Sequence, residues 1–417
     1  MNLRKYLVLL FIGILTSCST SKRSTTIPSS TKPVVAITDT LKSKLDNVEV
    51  VLDTIVRPIT IGLILPLQLD NHFTNDSISD GAPFIIPETL AALNFYEGAL
   101  VAKDSLTNFG IDVEFKVFDC SVDSTDVIKL LNSKEFKKCD FVLSMTSSSL
   151  NSLISKAASR FEIPFIILQN SNTQILEKNS NIWLSTPSNS SQIRLMASYL
   201  YNTYPSSQFI TVFRDVKRES DLSKLFSSVI DSLADSKNFC QSIEYLKGTG
   251  WTSLKSKFAK QKRNILIIPT SDESYVSSLI SKLDEVKNEY TFLLSGLPAW
   301  ENFEALDPDK LKEYNAHFFS GLYIDENNLR NQNFRKAFVT QYHNYPSAQV
   351  FESFDLVSYV ASNFKSFKNR YSLYKSQAIF ESTQTGFDFI EVCPKCGLEN
   401  QSISILKFGD YKLIKVK

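Results

Sequence analysis

Short apolar runs alternate with amphipathic helical patterns along most of this chain, and that alternation limits its fold more than any other feature. Ile59–Pro66 (Ile-Thr-Ile-Gly-Leu-Ile-Leu-Pro) is apolar on both faces, as a strand buried between two helical layers must be. Phe95, Ala99, Ala102 and Leu106 then fall at helical spacing. Strands are expected at Asp112–Asp119, Phe141–Ser144 and Pro164–Leu168, with helices over Ser124–Leu131 and around Leu150, Ile154, Ala157 and Phe161 between them. The order strand, helix, strand, repeated, is the mark of a doubly wound parallel sheet.

The pattern then starts again. Ile182–Thr186 reads as a strand leaving the first lobe. A helix is expected from Ser190 to Tyr204, a strand at Phe209–Phe213, and a helix carrying Leu222, Leu225, Val229 and Leu233. Strands at Ser242–Leu246, Asn264–Pro269 and Tyr290–Ser295 follow, with a helix through Val276, Leu279, Ile280 and Leu283. Two helices near Asn333–Tyr342 and Ala348–Phe364 precede a tail of short strands at Asp388–Val392, Ser402–Lys407 and Tyr411–Val416. The expected architecture is α/β, with two doubly wound parallel-sheet lobes joined by a multi-strand hinge. The first lobe is expected over about 57–187 plus 325–380, and the second over about 188–324 plus 381–417. A chain of 417 residues is long enough for two cores.

The start of the chain reads as an address. Arg4 and Lys5 precede an apolar stretch, Tyr6–Leu15, too short to span a bilayer. Leu15-Thr16-Ser17-Cys18 resembles the lipobox of bacterial lipoproteins, which implies cleavage before Cys18 and lipidation of its thiol. Residues 1–18 are then a signal peptide, and the acyl chains on Cys18 hold the protein to a membrane surface. Ser19 follows the cysteine where an aspartate would retain a lipoprotein at the inner membrane, which implies the outer membrane, facing the periplasm of a bacterium. Residues 19–56 read as a tether: Ser19–Lys32 is rich in Ser, Thr and Lys and has no apolar period.

Composition excludes several function classes. The 45 Lys and Arg nearly cancel 44 Asp and Glu, which argues against a broad nucleic-acid surface. The three histidines, His72, His317 and His343, are far apart, so a histidine-built metal site or triad is not expected. No GxSxG, Walker A, HExxH or GxGxxG motif occurs, and no enzyme activity or cofactor is expected. Five cysteines remain after Cys18: Cys120, Cys139, Cys240, Cys393 and Cys396. Cys393-Pro-Lys-Cys396 is a CxxC that a local disulfide, idle thiols, or metal or redox chemistry would each explain.

Four segments carry a resemblance to the type I periplasmic binding proteins, in the branch of leucine/isoleucine/valine-binding and amide-binding receptors. Ile61–Pro66 is similar to that family's opening strand. Phe95–Ala102 is similar to its first helix, where Gly98 and Ala99 would let the helix approach the sheet. Phe141–Pro164 is similar to its third strand, serine-rich turn and following helix. Phe334–Phe364, with Tyr342, Pro346 and Phe354-Asp355-Leu356, is similar to its late helix pair. The resemblance covers about 58–417. It implies two lobes that close over a small polar ligand, of amino-acid or amide kind, and present it to a partner such as an ABC permease. The same fold also serves outer-membrane lipoproteins that activate cell-wall synthases, which is the alternative reading.

In such folds ligands sit at the carboxyl ends of the strands, between the lobes. Ser144, Thr146 and Ser147 end the third strand and open a helix, where hydroxyls and amides can hold a carboxylate or simply cap the helix. Gln169 and Asn170 follow the next strand. From the second lobe, Asp215 follows Phe213, and Ser271, Asp272 and Glu273 follow Pro269; an acid among these can face a ligand ammonium. Asp355 is expected to be structural.

Overall fold

In the computed structural model the described residues are 57–69, 73–74, 77–78, 85–120, 124–168, 173–246, 250–364, 382–409 and 412–416. The lipobox, Cys18 and the tether lie outside them. The first sheet has seven strands. Its parallel part contains β1 (Ile59–Leu65), β4 (Val113–Asp119), β5 (Phe141–Ser144), β6 (Phe165–Ile167) and β7 (Ile182–Leu184), in the order β4-β1-β5-β6-β7. All seven residues of β1 are buried, whereas in the edge strand β4 only Val113 is. A short hairpin, β2 (Phe73–Thr74) with β3 (Ser77–Ile78), stands apart.

Helices cover both faces. On one lie α1 (Pro87–Thr107) and two helices from late in the chain, described below. On the other lie α2 (Ser124–Asn132) and α3 (Ser148–Phe161), packed on Ile64, Val142, Phe165 and Ile167. Successive residues of β1 feed opposite cores: Leu63 and Leu65 join the first, Ile64 the second.

The second sheet repeats the plan. Strands β8 (Gln208–Phe213), β9 (Cys240–Glu244), β10 (Arg263–Ile267), β11 (Thr291–Ser295) and β12 (His317–Ser320) run parallel in the order β9-β8-β10-β11-β12. They alternate with α4 (Asn189–Thr203), α5 (Lys217–Leu233), the short α6 (Trp251–Lys255), α7 (Glu273–Asp284) and α8 (Pro308–Glu313). The chain then returns to the first lobe as α9 (Leu329–Tyr342) and α10 (Ala348–Ser362). Phe334, Phe338, Phe351 and Phe354 from these helices complete the core against β1 and α1. Gly98 approaches α10 rather than the sheet: a Cβ there would lie 2.3 Å from the Val350 carbonyl oxygen. The expectation that Gly98 serves helix–sheet packing is corrected accordingly.

The tail divides between lobes. β13 (Phe389–Glu391) and β14 (Leu398–Asn400) extend the first sheet, β14 running parallel to β7. β15 (Ser404–Gly409) and β16 (Lys412–Lys415) extend the second, β15 running antiparallel to β12 and β16 antiparallel to β15. Residues 389–400 thus belong to the first lobe, not the second, because β14 pairs with the free edge of β7. Cys393 and Cys396 form a disulfide in the β13–β14 turn, while Cys120, Cys139 and Cys240 are buried and in no disulfide. The chain crosses between lobes three times, at 185–188, 321–328 and 401–403. Among the described residues no helix is long and apolar enough to cross a membrane, and no metal-ligating cluster is present.

Candidate functional site

Both sheets share the strand order in which the second strand flanks the first and the third lies on its other side. In each, the order reverses between the first and third strands, and loops on either side of that point splay apart at the carboxyl edge. In the first lobe the point lies between β1 and β5, and in the second between β8 and β10.

On the first lobe, Ser144 is fully buried at the end of β5. Its hydroxyl lies 3.1 Å from that of Thr146, and Thr146 Oγ1 donates to Asn151 Oδ1 at 2.9 Å. Asn151, in the first turn of α3, is itself buried. With the Thr146 proton on Asn151, the Ser144 proton goes to Thr146, so both hydroxyl protons are spent internally. Ser147 is exposed and shares a hydrogen bond with Ser149 at 2.8 Å. The first-turn amides of α3 are not used by the helix itself. After β1, the amides of Gln68 and Leu69 donate to Asp119 at 2.9 and 2.8 Å, and Thr89 Oγ1 donates to the Pro66 carbonyl. Gln169 and Asn170 lie outside the described residues.

On the second lobe, Arg214 follows β8 and is held from several sides. Its Nε and Nη2 donate to Glu219, Nη1 donates to Asp272 at 2.5 Å, and Nη2 also reaches Thr270 Oγ1 at 3.1 Å. Burial works to raise the Glu219 carboxyl, but hydrogen bonds from Arg214 and Thr270 and the guanidinium charge outweigh it and hold the group below its ordinary value. Asp272 is the N-cap of α7: it accepts the Tyr275 amide, and that bond leads in lowering its pKa. Glu273 accepts the amides of Ala305 and Leu306. Trp300 is fully buried against Gly296 beyond β11, and its indole donates to the Thr270 carbonyl at 3.0 Å. Asp215 and Ser271 are exposed.

Exposed apolar residues gather at the same edges. Leu69 follows β1, and Ile85, Ile86 and Leu90 surround the start of α1. Val216 follows Arg214, and Leu246 follows β9. Leu90, Val216 and Leu246 are 47%, 42% and 46% exposed.

The structure thus brings Ser144, Thr146 and Ser147 together on one edge and Asp215, Ser271 and Asp272 on the other. Sequence reading missed Asn151, Glu219 and Trp300. Arg214 and Glu219, five apart across a strand-to-helix turn, offered a signal; the partners Asn151 and Trp300 did not. The buried thiols are inert: burial pushes Cys139 and Cys240 up to about 12. Asp355 is fully buried in α10, where it accepts hydrogen bonds from Ser382, Thr383 and Gln384.

No family model and no curated protein matches this chain. Solved structures do. One, assigned as a branched-chain amino acid ABC transporter of Rhodospirillum rubrum, superposes with a TM-score of 0.63 at 10% identity, covering 86% of this chain and 100% of that one. The C-domain of LpoA from Haemophilus influenzae, a regulator of PBP1A, gives 0.56 at 12% identity, with 86% and 100% covered. An ABC transporter substrate-binding protein from Desulfitobacterium hafniense gives 0.53 at 12% identity over the same shares. At such identities the likeness is one of fold. The two mainly parallel sheets, their matched strand orders and the three crossovers give this chain the two-lobed fold of the type I periplasmic binding proteins.

Proposed function

We propose that this chain is a non-enzymatic binding lipoprotein of the bacterial envelope, anchored through Cys18, that acts by protein contact at the carboxyl edges of its two sheets. The observation that carries this reading is the state of those edges. The hydroxyl protons of Ser144 and Thr146 and the guanidinium of Arg214 are committed internally, while Leu69, Ile85, Ile86, Leu90, Val216 and Leu246 stand exposed. A receptor for a free amino acid needs uncommitted donors for the carboxylate and an uncommitted acid for the ammonium. An edge with its polar groups self-satisfied and its apolar groups exposed suits a protein surface instead. The likeness to the C-domain of LpoA, a regulator of PBP1A, supports the same reading.

The test is site-specific photocross-linking in the envelope. Probes at Leu90 and Val216 are expected to trap one discrete partner, and probes at the exposed Ile128 and Leu233, on the outer helices α2 and α5, are not. Equal trapping at all four positions would refute it.

A second reading is a small polar ligand in the cleft, passed to an ABC permease. It is favoured by Ser147, exposed beside the first turn of α3, and by Asp215 and Ser271 on the facing lobe. A thermal-shift panel of amino acids, amides, small carboxylates, nucleosides and muropeptides decides it. A shift with one class, lost on Thr146→Ala with Ser147→Ala, would establish this reading over the first.

A further inference from the structure

The amino edge of the second sheet, opposite the carboxyl edge described above, is strongly cationic. The chain holds no acid between Glu244 and Asp272, and Lys255, Lys257, Lys260, Lys262 and Arg263 all fall in the stretch that ends α6 and enters β10. Lys257, Lys260, Lys262 and Arg263 are exposed. Lys407 of β15 joins them, because it pairs with His317 at the first position of β12. Arg263 and Lys407 both act on the pKa of His317, so the two charges lie near one ring.

The stretch is held rigidly. Phe258 anchors it edge-on to Tyr290 and Phe292, with ring centroids 5.4 and 4.9 Å apart. Asn264 is fully buried and closes the turn. Its Oδ1 accepts the Ala259 amide at 2.8 Å, and its Nδ2 donates to the Ala259 carbonyl at 3.0 Å and to that of Thr291 at 3.2 Å. Both ends of a buried amide are thus spent on a turn whose outward residues are Lys260, Gln261 and Lys262. Like charges held together repel one another. Glu289 relieves this only in part, shared by Lys255 at 3.4 Å and Lys260 at 4.0 Å. Lys257, Lys262 and Arg263 have no ion pair among the described residues; Arg263 lies over the Tyr204 ring at 4.7 Å.

Two features decide the partner. Among the described residues no large apolar side chain is exposed at this edge. Protein interfaces are built around such anchors and are depleted in lysine, and single-stranded nucleic acid needs exposed rings for its bases. All the cations but Arg263 are lysines, which act as point charges and suit a spread of phosphates better than one planar anion. We propose that the amino edge of the second sheet docks on a membrane surface rich in anionic phospholipid, with Lys257, Lys260, Lys262, Arg263 and Lys407 facing the headgroup phosphates. Docked this way, the second lobe turns its carboxyl edge away from the lipid, which leaves that edge free under either reading of its function.

The experiment is flotation of the chain from residue 18, carrying Cys18→Ser so that no acyl chain holds it, with vesicles of phosphatidylcholine alone or with about 30 mol% phosphatidylglycerol. Binding is expected with the anionic vesicles only, and is expected to fall steeply between about 50 and 500 mM salt. Lys260→Glu with Lys262→Glu is expected to weaken it about tenfold or more. Lys156→Glu with Lys224→Glu, the same change at exposed sites on α3 and α5, is expected to leave it within about twofold, and both double variants should melt with the parent. No binding to anionic vesicles, or equal binding to neutral ones, would overturn the proposal. So would equal loss in the two double variants, which would make net charge the cause, or no loss in the first, which would place binding in the lysines of 19–56. Release by about 10 mM inorganic phosphate at constant ionic strength would show a discrete phosphate site and would overturn the surface reading too.

Discussion

Glu399 Oε1 accepts the backbone N–H of Ser188 at 2.6 Å, across 211 residues of chain. Its second oxygen accepts the Ser191 hydroxyl at 2.9 Å. The residue is 2% exposed, and it places a carboxylate at the start of α4, where the helix presents unpaired amides and the positive end of its dipole. Its neighbour Asn400 donates to the Ser185 carbonyl at 2.8 Å and accepts the amides of Asp388 and Ser402. The end of β14 therefore holds the first crossover through side chains of two consecutive residues.

Removing that carboxylate is expected to be costly. Glu399→Ala leaves the Ser188 amide and the Ser191 hydroxyl buried without an acceptor, at about 2–5 kcal/mol in all. Glu399→Gln keeps one carbonyl oxygen and should cost roughly half as much. Denaturant midpoints measure both. An alanine variant as stable as the parent would show that these bonds do not support the fold.

The same residues show why part of the architecture was hidden in the sequence. Parallel strands such as β1 and β6 announce themselves because both faces are buried and the run is almost wholly apolar. β14 is Leu-Glu-Asn: fully buried, but buried by hydrogen bonding, so no apolar signal marks it. Without β14 the tail looked like an addition to the second lobe only. The carboxyl edges were legible in position, since Ser144 and Arg214 end clear strands. Their chemistry was not, because it depends on Asn151 and on Asp272 with Thr270, which only folding brings within reach.

His317 predicts a pH dependence. It is 1% exposed on β12; its Nδ1–H donates to the Asn315 carbonyl at 2.7 Å, and the rings of Tyr199 and Tyr204 pack near it. Burial lowers its pKa, the Asn315 bond opposes this, and the Lys407 and Arg263 charges add to the lowering. The folded state thus keeps the ring neutral while the unfolded chain protonates it near 6.5. The stability this provides is present above that value and is lost as pH falls below it toward the folded pKa, with a slope of at most about 1.4 kcal/mol per pH unit. Denaturant titrations from neutral pH downward should show this loss in the parent and its absence in His317→Gln, whose amide can still donate to Asn315. Parallel profiles would refute it.

Two glycines are expected to resist even alanine. A Cβ at Gly397 would lie 2.1 Å from the Ile182 carbonyl oxygen and 3.0 Å from that of Asn179, and one at Gly98 would meet the Val350 carbonyl. In both cases the obstacle is backbone, which cannot rotate away. Gly397→Ala should lift the β13–β14 turn off β7, and Gly98→Ala should part α1 from α10, each at about 1–3 kcal/mol or more. Thermal melts test this, with Gly110→Ala as a comparison whose Cβ meets nothing within 4 Å, although its φ of +72° still carries a backbone cost. Equal effects at all three positions would mean that close approach does not matter.

Arg214 offers the sharpest test of how the second-lobe edge is built. Glu219 is 4% exposed and depends on this guanidinium, so Arg214→Met leaves a nearly buried carboxylate without its cation. The expected loss at neutral pH is about 2–4 kcal/mol, below the usual range for a fully buried pair because the arginine is partly exposed. The sign with pH follows from the pKa. In the parent the Glu219 pKa is depressed, so its contribution is present above the ordinary carboxylate range and is lost as pH falls through the folded value. In the variant burial is opposed only by the Thr270 hydroxyl and the backbone amide of residue 214, so the Glu219 pKa rises relative to the parent, and the penalty is greatest at neutral pH and shrinks on acidification. Pairing Arg214→Met with Glu219→Gln should recover much of the loss, because no buried charge is then left uncompensated. A single variant whose deficit is independent of pH would show that packing of the arginine stem, and not its charge, holds this edge together.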